Sequence, residues 1–223
     1  MIFVFKGINH KMHLIRKNIS SVLKILLIIG FGYFFWLMLK ITLEYIPINT
    51  NVSFLMIKQT EVAERPEYLY FFYTHVYTSI FVLLTGFLAI IRKNFGLKNF
   101  HRNAGKIYIF FILIFAAPSG IYMGIFANGG LLSKISFVIL GIFWWFSTLN
   151  AYQLARQKKF TEHKQWMWRS FALTISAITL RMWKVIIVYL FHPNPMDVYQ
   201  IIAWFGWVSN IILIEYLIIK KHI

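Results

Sequence analysis

The stretch ISFVILGIFWWFSTLNAYQL, residues 135–154, contains no charged side chain. At about 1.5 Å per residue, a helix of this length covers the roughly 30 Å hydrocarbon core of a bilayer. The segment that follows it, RQKKFTEHK at residues 156–164, is strongly basic. An uncharged run beside a cationic loop is typical of a helix that crosses a membrane and ends at its cytoplasmic side.

Five further apolar runs lie between the other charged clusters. Of the 223 residues, 59% are hydrophobic and 13% are charged, whereas a soluble domain carries about 25% charged residues. A soluble core of this size could not bury so much apolar surface. The sequence therefore predicts an all-α, polytopic transmembrane bundle that forms a single integral membrane domain over residues 1–223. The six predicted spans are Ile25–Leu43, Tyr68–Ile91, Ile107–Phe126, Ile135–Leu154, Trp166–Phe191 and Val198–Ile219.

The first of these runs is longer than the apolar region of a signal peptide, and no small-residue cleavage motif follows it. We expect it to be a retained anchor. A proline inside the third run, Pro118, stands next to Ser119 and Gly120 and predicts a kink. No internal repeat is evident in the sequence.

Basic residues collect at alternate ends of the spans, and acidic residues collect at the opposite ends. Loops rich in Lys and Arg stay in the cytoplasm, so we expect the N-terminus, second loop, fourth loop and C-terminus to be cytoplasmic. The net charge of +16 then favours anionic lipid headgroups at the inner face. Because the spans interrupt the basic clusters, they form no continuous face for a nucleic acid. The basic residues at the predicted cytoplasmic ends are Lys6, Lys11, Arg16, Lys17, Lys24, Arg92, Lys93, Lys98, Arg102, Lys106, Arg156, Lys158, Lys159, Lys164, Arg169, Lys220 and Lys221.

Several common chemistries have no sequence basis. The chain has no cysteine, so disulfides, thiolate metal sites and a cysteine nucleophile are excluded. It also lacks a glycine-rich phosphate loop, a Gly-x-Ser-x-Gly elbow and a His-Glu-x-x-His motif. Glu215 is the one carboxylate clearly inside a predicted span, and we expect Lys220 and Lys221 to neutralise it. Trp144 and Trp145 are expected to be interfacial or lipid-facing aromatics.

Three ionisable side chains are predicted in the outer half of the bilayer: His75 on the second span, and Arg181 and Lys184 on the fifth. Ionisable groups inside a membrane are costly and therefore indicate function. Arg181 should face the bundle interior and find an anionic or carbonyl partner, whereas Lys184 can extend its alkyl chain to the interface. His192, at the outer edge, makes a weaker pair with His75.

Two more histidines, His101 and His163, lie near the cytoplasmic interface at similar depth on different spans. Steps of three and four residues place each histidine on a helix face that also carries small or hydroxylated side chains. Close packing of membrane helices is the plainer explanation of those small residues.

The pattern of His75, Gly86 and Arg92, followed by His101-Arg102-x-x-Gly105-x-x-Tyr108, His163-x-x-Trp166-Met167-x-Arg169-Ser170 and Thr179-Leu180-Arg181, resembles a prokaryotic family. This is the predicted membrane-protein family catalogued as domain of unknown function 2306. The resemblance covers roughly residues 68–190 and implies a bacterial inner-membrane protein without implying an activity.

A looser similarity is to b-type haem membrane cytochromes, which use histidines of neighbouring helices as paired axial ligands. That similarity implies His101 and His163 as haem ligands, with Arg102 or Arg169 holding the propionates. The fourth span has no histidine, so at most one haem fits this pattern.

Three functions follow from these residues. The favoured hypothesis is a non-catalytic membrane subunit or assembly factor that binds a membrane-protein partner. The second is a redox protein that binds a b-type haem or a metal through its histidines and exchanges electrons with quinone. The third is a carrier or membrane enzyme for a small anionic amphiphile, with Arg181 clamping the anion and His75 exchanging a proton.

Overall fold

The computed structural model describes residues 22, 25–94 and 98–221, and every regular element within them is helical. Six helices in this described part are long and apolar enough to cross a membrane, which confirms the predicted fold class and span count. The cytoplasmic position of the termini stays a prediction. In chain order the helices are α1 (Ile25–Leu43), α2 (Gln59–Glu64), α3 (Pro66–Asn94), α4 (Lys98–Phe111), α5 (Ala117–Ile125), α6 (Gly130–Arg156), α7 (Phe160–Phe191) and α8 (Pro195–Ile219). Helices α4 and α5 together form one of the six spans, and the short α2 is not a span.

Contacts divide the chain into two units, Met1–Ile41 and Thr42–Ile223. In the first unit the apolar side chains of Ile25, Leu26, Leu27, Ile28 and Ile29 at the start of α1 are exposed, as expected of a helix surrounded by lipid. The prediction of one domain over residues 1–223 stays a prediction. The basic residues Lys6, Lys11, Arg16, Lys17 and Lys24 lie outside the described residues, as do the side chains of Arg92, Lys93 and Lys98.

In the second unit, glycines let neighbouring helices approach closely. A Cβ atom added to Gly141 of α6 would lie 2.5 Å from the Ile121 side chain of α5. A Cβ added to Gly206 of α8 would lie 2.8 Å from Leu180 of α7. Without a hydrophobic driving force between helices in lipid, such contacts supply much of the packing energy. Helix α7 packs against both α6 and α8.

Every spanning helix after α1 begins before the apolar run that predicted it, most clearly α4 and α7. Helix α4 begins at Lys98, not at Ile107, and α7 begins at Phe160, not at Trp166. Their first turns are polar, so hydropathy does not detect them although the helical hydrogen bonds continue there. Both inner histidines therefore lie within helices.

A π-helical turn, Ile112–Ala116, joins α4 to α5 immediately before the proline. In this turn the Ala117 N–H donates to the Ile112 carbonyl, five residues earlier. The next donor in that register would be residue 118, but proline has no N–H. Trp145 of α6 takes its place, since its Nε1 donates to the Leu113 carbonyl at 3.1 Å. A side chain thus satisfies a carbonyl that could find no water in the hydrocarbon core.

The loop between α1 and α3 folds over the end of the second unit at which α5 ends. It contains a 3-10 helix, Ser53–Lys58, and then α2. The Lys58 side chain is 1% exposed, and its Nζ donates to the Phe126 carbonyl and, at 2.6 Å, to Glu61. Burial opposes ionisation of Glu61, but the hydrogen bond and charge of Lys58 lower its pKa. This pair fixes the loop to the C-terminal end of α5.

Candidate functional site

His75 of α3 faces the π-helical turn. Its Nδ1 lies 2.8 Å from the Ala116 carbonyl oxygen, and its Nε2 lies 3.4 Å from Ser79 Oγ. A carbonyl can only accept, so Nδ1 carries the hydrogen and Nε2 carries the lone pair. A Cβ added to Gly120 of α5 would lie 2.8 Å from the imidazole Cε1. The imidazole is therefore fixed in orientation and tautomer.

Arg181 of α7 lies within electrostatic range of His75. Its Nη1 donates to the Ala177 carbonyl of its own helix at 2.8 Å. The side chain is accessible from outside the protein, although protein atoms surround much of it. His75, Tyr45 and Tyr199 are all within electrostatic range of the guanidinium.

No carboxylate pairs with Arg181 among the residues that the structure describes. The two ion pairs found there are Lys58 with Glu61 and Arg169 with Glu215. Tyr45, which follows α1, is buried, and burial raises the pKa of its phenol while the charge of Arg181 acts in the opposite direction. Of the two partners predicted for Arg181, an anion or a carbonyl, the structure shows the carbonyl, in its own helix.

Tyr68 was not among the residues predicted from the sequence. Its side chain is fully buried, and its hydroxyl has no hydrogen-bond partner among the described residues. The phenol interacts electrostatically with Tyr199 and Tyr45, the same two tyrosines that lie near Arg181. Tyr68 precedes His75 by seven residues, two helical turns along one face of α3. That spacing was the one sequence signal that could have identified it.

Other predicted outer residues are not brought into this group. Lys184 is exposed on α7, and the structure shows no hydrogen bond or ion pair for it. His192 follows α7 in a left-handed conformation with φ of 46° and is exposed. Their positions give the proposed pairing of His192 with His75 no support. We call the group formed by His75, Arg181, Tyr45, Tyr68 and Tyr199 the outer cluster.

The two inner histidines make the same contact in two different helix pairs. His101 of α4 lies with Nδ1 2.8 Å from the Ala89 carbonyl of α3. His163 of α7 lies with Nδ1 2.7 Å from the Ala151 carbonyl of α6. In both cases the acceptor precedes the histidine by twelve residues. Each histidine thus joins the two helices of its own hairpin.

The candidate propionate partners differ in their surroundings. Arg102 is exposed on α4. Arg169 of α7 makes a bidentate pair with Glu215 of α8, at 2.5 Å and 2.9 Å, and lies over the Trp166 ring. This contact corrects the expectation that Lys220 and Lys221 neutralise Glu215, because a partner on the adjacent helix reaches its carboxylate.

Haem ligation needs two imidazoles that face one iron. Here each inner imidazole is turned towards the other helix of its hairpin, and Arg169 is already paired. A histidine that ligates a metal through Nε2 commonly makes the same Nδ1 contact with a carbonyl, so the haem hypothesis for His101 and His163 stays a prediction. Among the described residues, no group of three or more His, Cys, Asp or Glu is placed to hold a metal ion.

A buried hydroxyl cluster occupies the middle of the bundle between α4, α6 and α7. The Tyr108 hydroxyl lies 2.8 Å from both Ser170 Oγ and Thr174 Oγ1. Trp144 is 7% exposed, and its Nε1 donates to Thr174 at 3.0 Å. The expectation that Trp144 faces lipid or the interface is therefore wrong, because its indole N–H has an internal acceptor. Thr148 completes the cluster, 2.7 Å from Ser170.

The described geometry, six apolar helices with polar residues directed inwards, defines an integral membrane protein of the helical-bundle class. The family described as predicted membrane protein (DUF2306) matches residues 72–218, and the chain belongs to this family. The match includes the histidines and arginines on which the sequence resemblance depends. No curated protein and no solved structure matches the chain.

Proposed function

We propose that this protein binds a small anionic amphiphile in the outer half of the bilayer, at the outer cluster. One observation carries the proposal. Arg181 lies within a membrane span, and among the described residues no carboxylate pairs with it. An arginine at the centre of a membrane helix costs at least about 2.5 kcal/mol, and a bound anion would offset that cost.

The chemistry of the guanidinium favours an oxygen acid as the ligand. Arginine presents a planar set of donors that grips a carboxylate or phosphate with two parallel hydrogen bonds. The hydroxyl of Tyr68, buried without a described partner, and that of Tyr199 add neutral donors nearby. The surrounding bilayer suits a ligand with an apolar tail, so an amphiphile such as a fatty acid or an anionic lipid headgroup fits this position.

A non-catalytic subunit remains the second candidate, because specific contacts favour it. Gly141, Gly206 and the Tyr108 hydroxyl cluster account for the small and hydroxylated residues by packing alone. Packing does not account for Arg181. Binding without catalysis agrees with both observations, so we propose a carrier or binding protein and assign no reaction to it.

The proposed setting is the inner membrane of a bacterium, with both termini in the cytoplasm and the outer cluster towards the external face. The distribution of basic residues supports this orientation. Reporter fusions at the turn Ala127–Gly130 and at the C-terminus test it. Alkaline phosphatase should be active at the turn and inactive at the C-terminus, and the opposite result would invert the site.

Octanoate binding to the protein in nanodiscs of zwitterionic lipid tests the proposed function. Arg181→Gln should weaken the affinity about tenfold to a hundredfold, the effect of losing a charge-assisted hydrogen bond worth about 1.5–3 kcal/mol. Lys184→Gln is the matched control, since it removes a cation from the next turn of the same helix and should change little. Equal affinities of wild type and Arg181→Gln, or an equal loss in both variants, would overturn the proposal. Octanol, the neutral analogue, should not distinguish wild type from Arg181→Gln.

A further inference from the structure

We infer that the anion binds together with one proton, which His75 receives at Nε2. This inference rests on the proposed function and adds the regulation of that site. It concerns only a proton taken from water onto an imidazole nitrogen, with no bond broken in the ligand. Binding would then be coupled to pH and, across a membrane, to a proton gradient.

The tautomer of His75 determines which nitrogen can accept the proton. Nδ1 must donate to the Ala116 carbonyl, 2.8 Å away, because a carbonyl has no hydrogen to give. The lone pair therefore stays on Nε2. The contact of Nε2 with Ser79 Oγ is long, at 3.4 Å, so it occupies the lone pair weakly. A proton can be added at Nε2 without breaking the bond to Ala116.

The charges facing His75 make the proton dependent on the anion. The groups contacting it from α5 and the π-helical turn are the Ala116 carbonyl and Gly120, neither of which titrates. Arg181 of α7 is the charged side chain within electrostatic range, alongside the phenols of the outer cluster. Two cations within electrostatic range of each other in a low-dielectric region repel each other. A bound anion cancels the charge of Arg181 and attracts a proton to His75.

Thermodynamic reciprocity then gives a measurable consequence. If the anion favours protonation of His75, protonation must favour anion binding by the same factor. Affinity for a carboxylate should rise as the pH falls. At full coupling the rise is about tenfold per pH unit, one proton being bound with each anion.

Isothermal titration calorimetry of octanoate binding, repeated in buffers of different ionisation enthalpy, measures the number of protons taken up per octanoate bound. Between about pH 6 and pH 8 the carboxylate itself stays ionised, so any proton taken up belongs to the protein. Wild type should take up a substantial fraction of one proton per octanoate. His75→Asn keeps an N–H near Ala116 but removes the titratable nitrogen, and it should bind without proton uptake.

His101→Asn is the matched control, because His101 makes the same Nδ1 contact with a carbonyl, at 2.8 Å to Ala89. It should leave the proton count unchanged. Octanoate binding by wild type with no proton uptake and a flat pH profile would overturn the inference and leave the proposed function standing. Unchanged uptake in His75→Asn would also overturn it. Absence of octanoate binding by wild type would overturn the proposed function itself. If His75→Asn does not fold, the pH profile of wild type still decides.

Discussion

The Nδ1 atom of His75 donates a hydrogen bond to the carbonyl oxygen of Ala116 at 2.8 Å, which joins α3 to the π-helical turn before α5. This contact requires a residue without a side chain at position 120, where a Cβ would approach the imidazole to within 2.8 Å. The bond thus links the packing of two helices to the orientation of the proposed proton acceptor.

Gly120→Ala should lower the free energy of unfolding by about 1–3 kcal/mol, the usual cost of overpacking, because the imidazole must move from its carbonyl. Gly105→Ala is the control, since a Cβ there meets nothing within 4 Å. It should be neutral or stabilise the helix by up to about 1 kcal/mol. SDS-induced unfolding measures both. Equal effects of the two variants would show that position 120 has room for a side chain.

Trp145→Phe should lower the free energy of unfolding by about 1 kcal/mol, since it leaves the Leu113 carbonyl without a donor in the membrane. The loss should shrink in a Pro118→Ala background, where residue 118 regains an N–H. A double-mutant cycle from the same unfolding assay measures this coupling. Additive effects would mean that Trp145 does not replace the donor missing at the proline.

Removal of the hydroxyl should affect the stability of the protein differently at two buried tyrosines. Tyr108→Phe removes two hydrogen bonds of 2.8 Å and should destabilise the protein by about 1 kcal/mol. Tyr68→Phe removes a hydroxyl with no described partner, so the ligand-free protein should be unchanged or more stable. Octanoate affinity should fall in Tyr68→Phe. A large destabilisation by Tyr68→Phe without ligand would indicate that its hydroxyl already has a partner.

Acid should weaken the attachment of the loop that contains residues 53–64 to the end of α5. The lowered pKa of Glu61 means that its ion pair with Lys58 stabilises the folded loop above the unfolded pKa of about 4.3, and that this contribution is lost as the pH falls through the lower, folded value. Hydrogen exchange over residues 53–64 should accelerate in that acid range. Glu61→Gln should exchange faster already at neutral pH and lose the pH dependence. A loop whose exchange does not respond to acid in wild type would contradict this account.

Much of the fold follows from hydropathy, because a bilayer demands long apolar helices. The predicted starts of α4 and α7 were too late, because hydropathy detects the part of a helix that lies in lipid and not its polar first turns. Side-chain contacts across helices were harder to predict. The indole of Trp144 finds Thr174 thirty residues away, and Glu215 pairs with Arg169 instead of its sequence neighbours.

The candidate site was predicted only in part, because contacts between side chains of different helices do not follow from hydropathy. Charge inside a span identified His75 and Arg181, and the structure brings them within electrostatic range. For Lys184, three residues after Arg181 on the same helix, it shows no hydrogen bond or ion pair. Tyr68 was missed because tyrosines are common at membrane interfaces, and only the fold shows that its hydroxyl is buried. The depth of a residue in the membrane and the direction of its side chain therefore decide which polar residues form one site.

A crystal structure grown with an octanoate that carries bromine at its tail end tests the central claim most directly. The account predicts a carboxylate within hydrogen-bond distance of the Arg181 guanidinium and an anomalous bromine peak within the bilayer region. A bromine peak elsewhere, with Arg181 still bonded only to the Ala177 carbonyl, would contradict it.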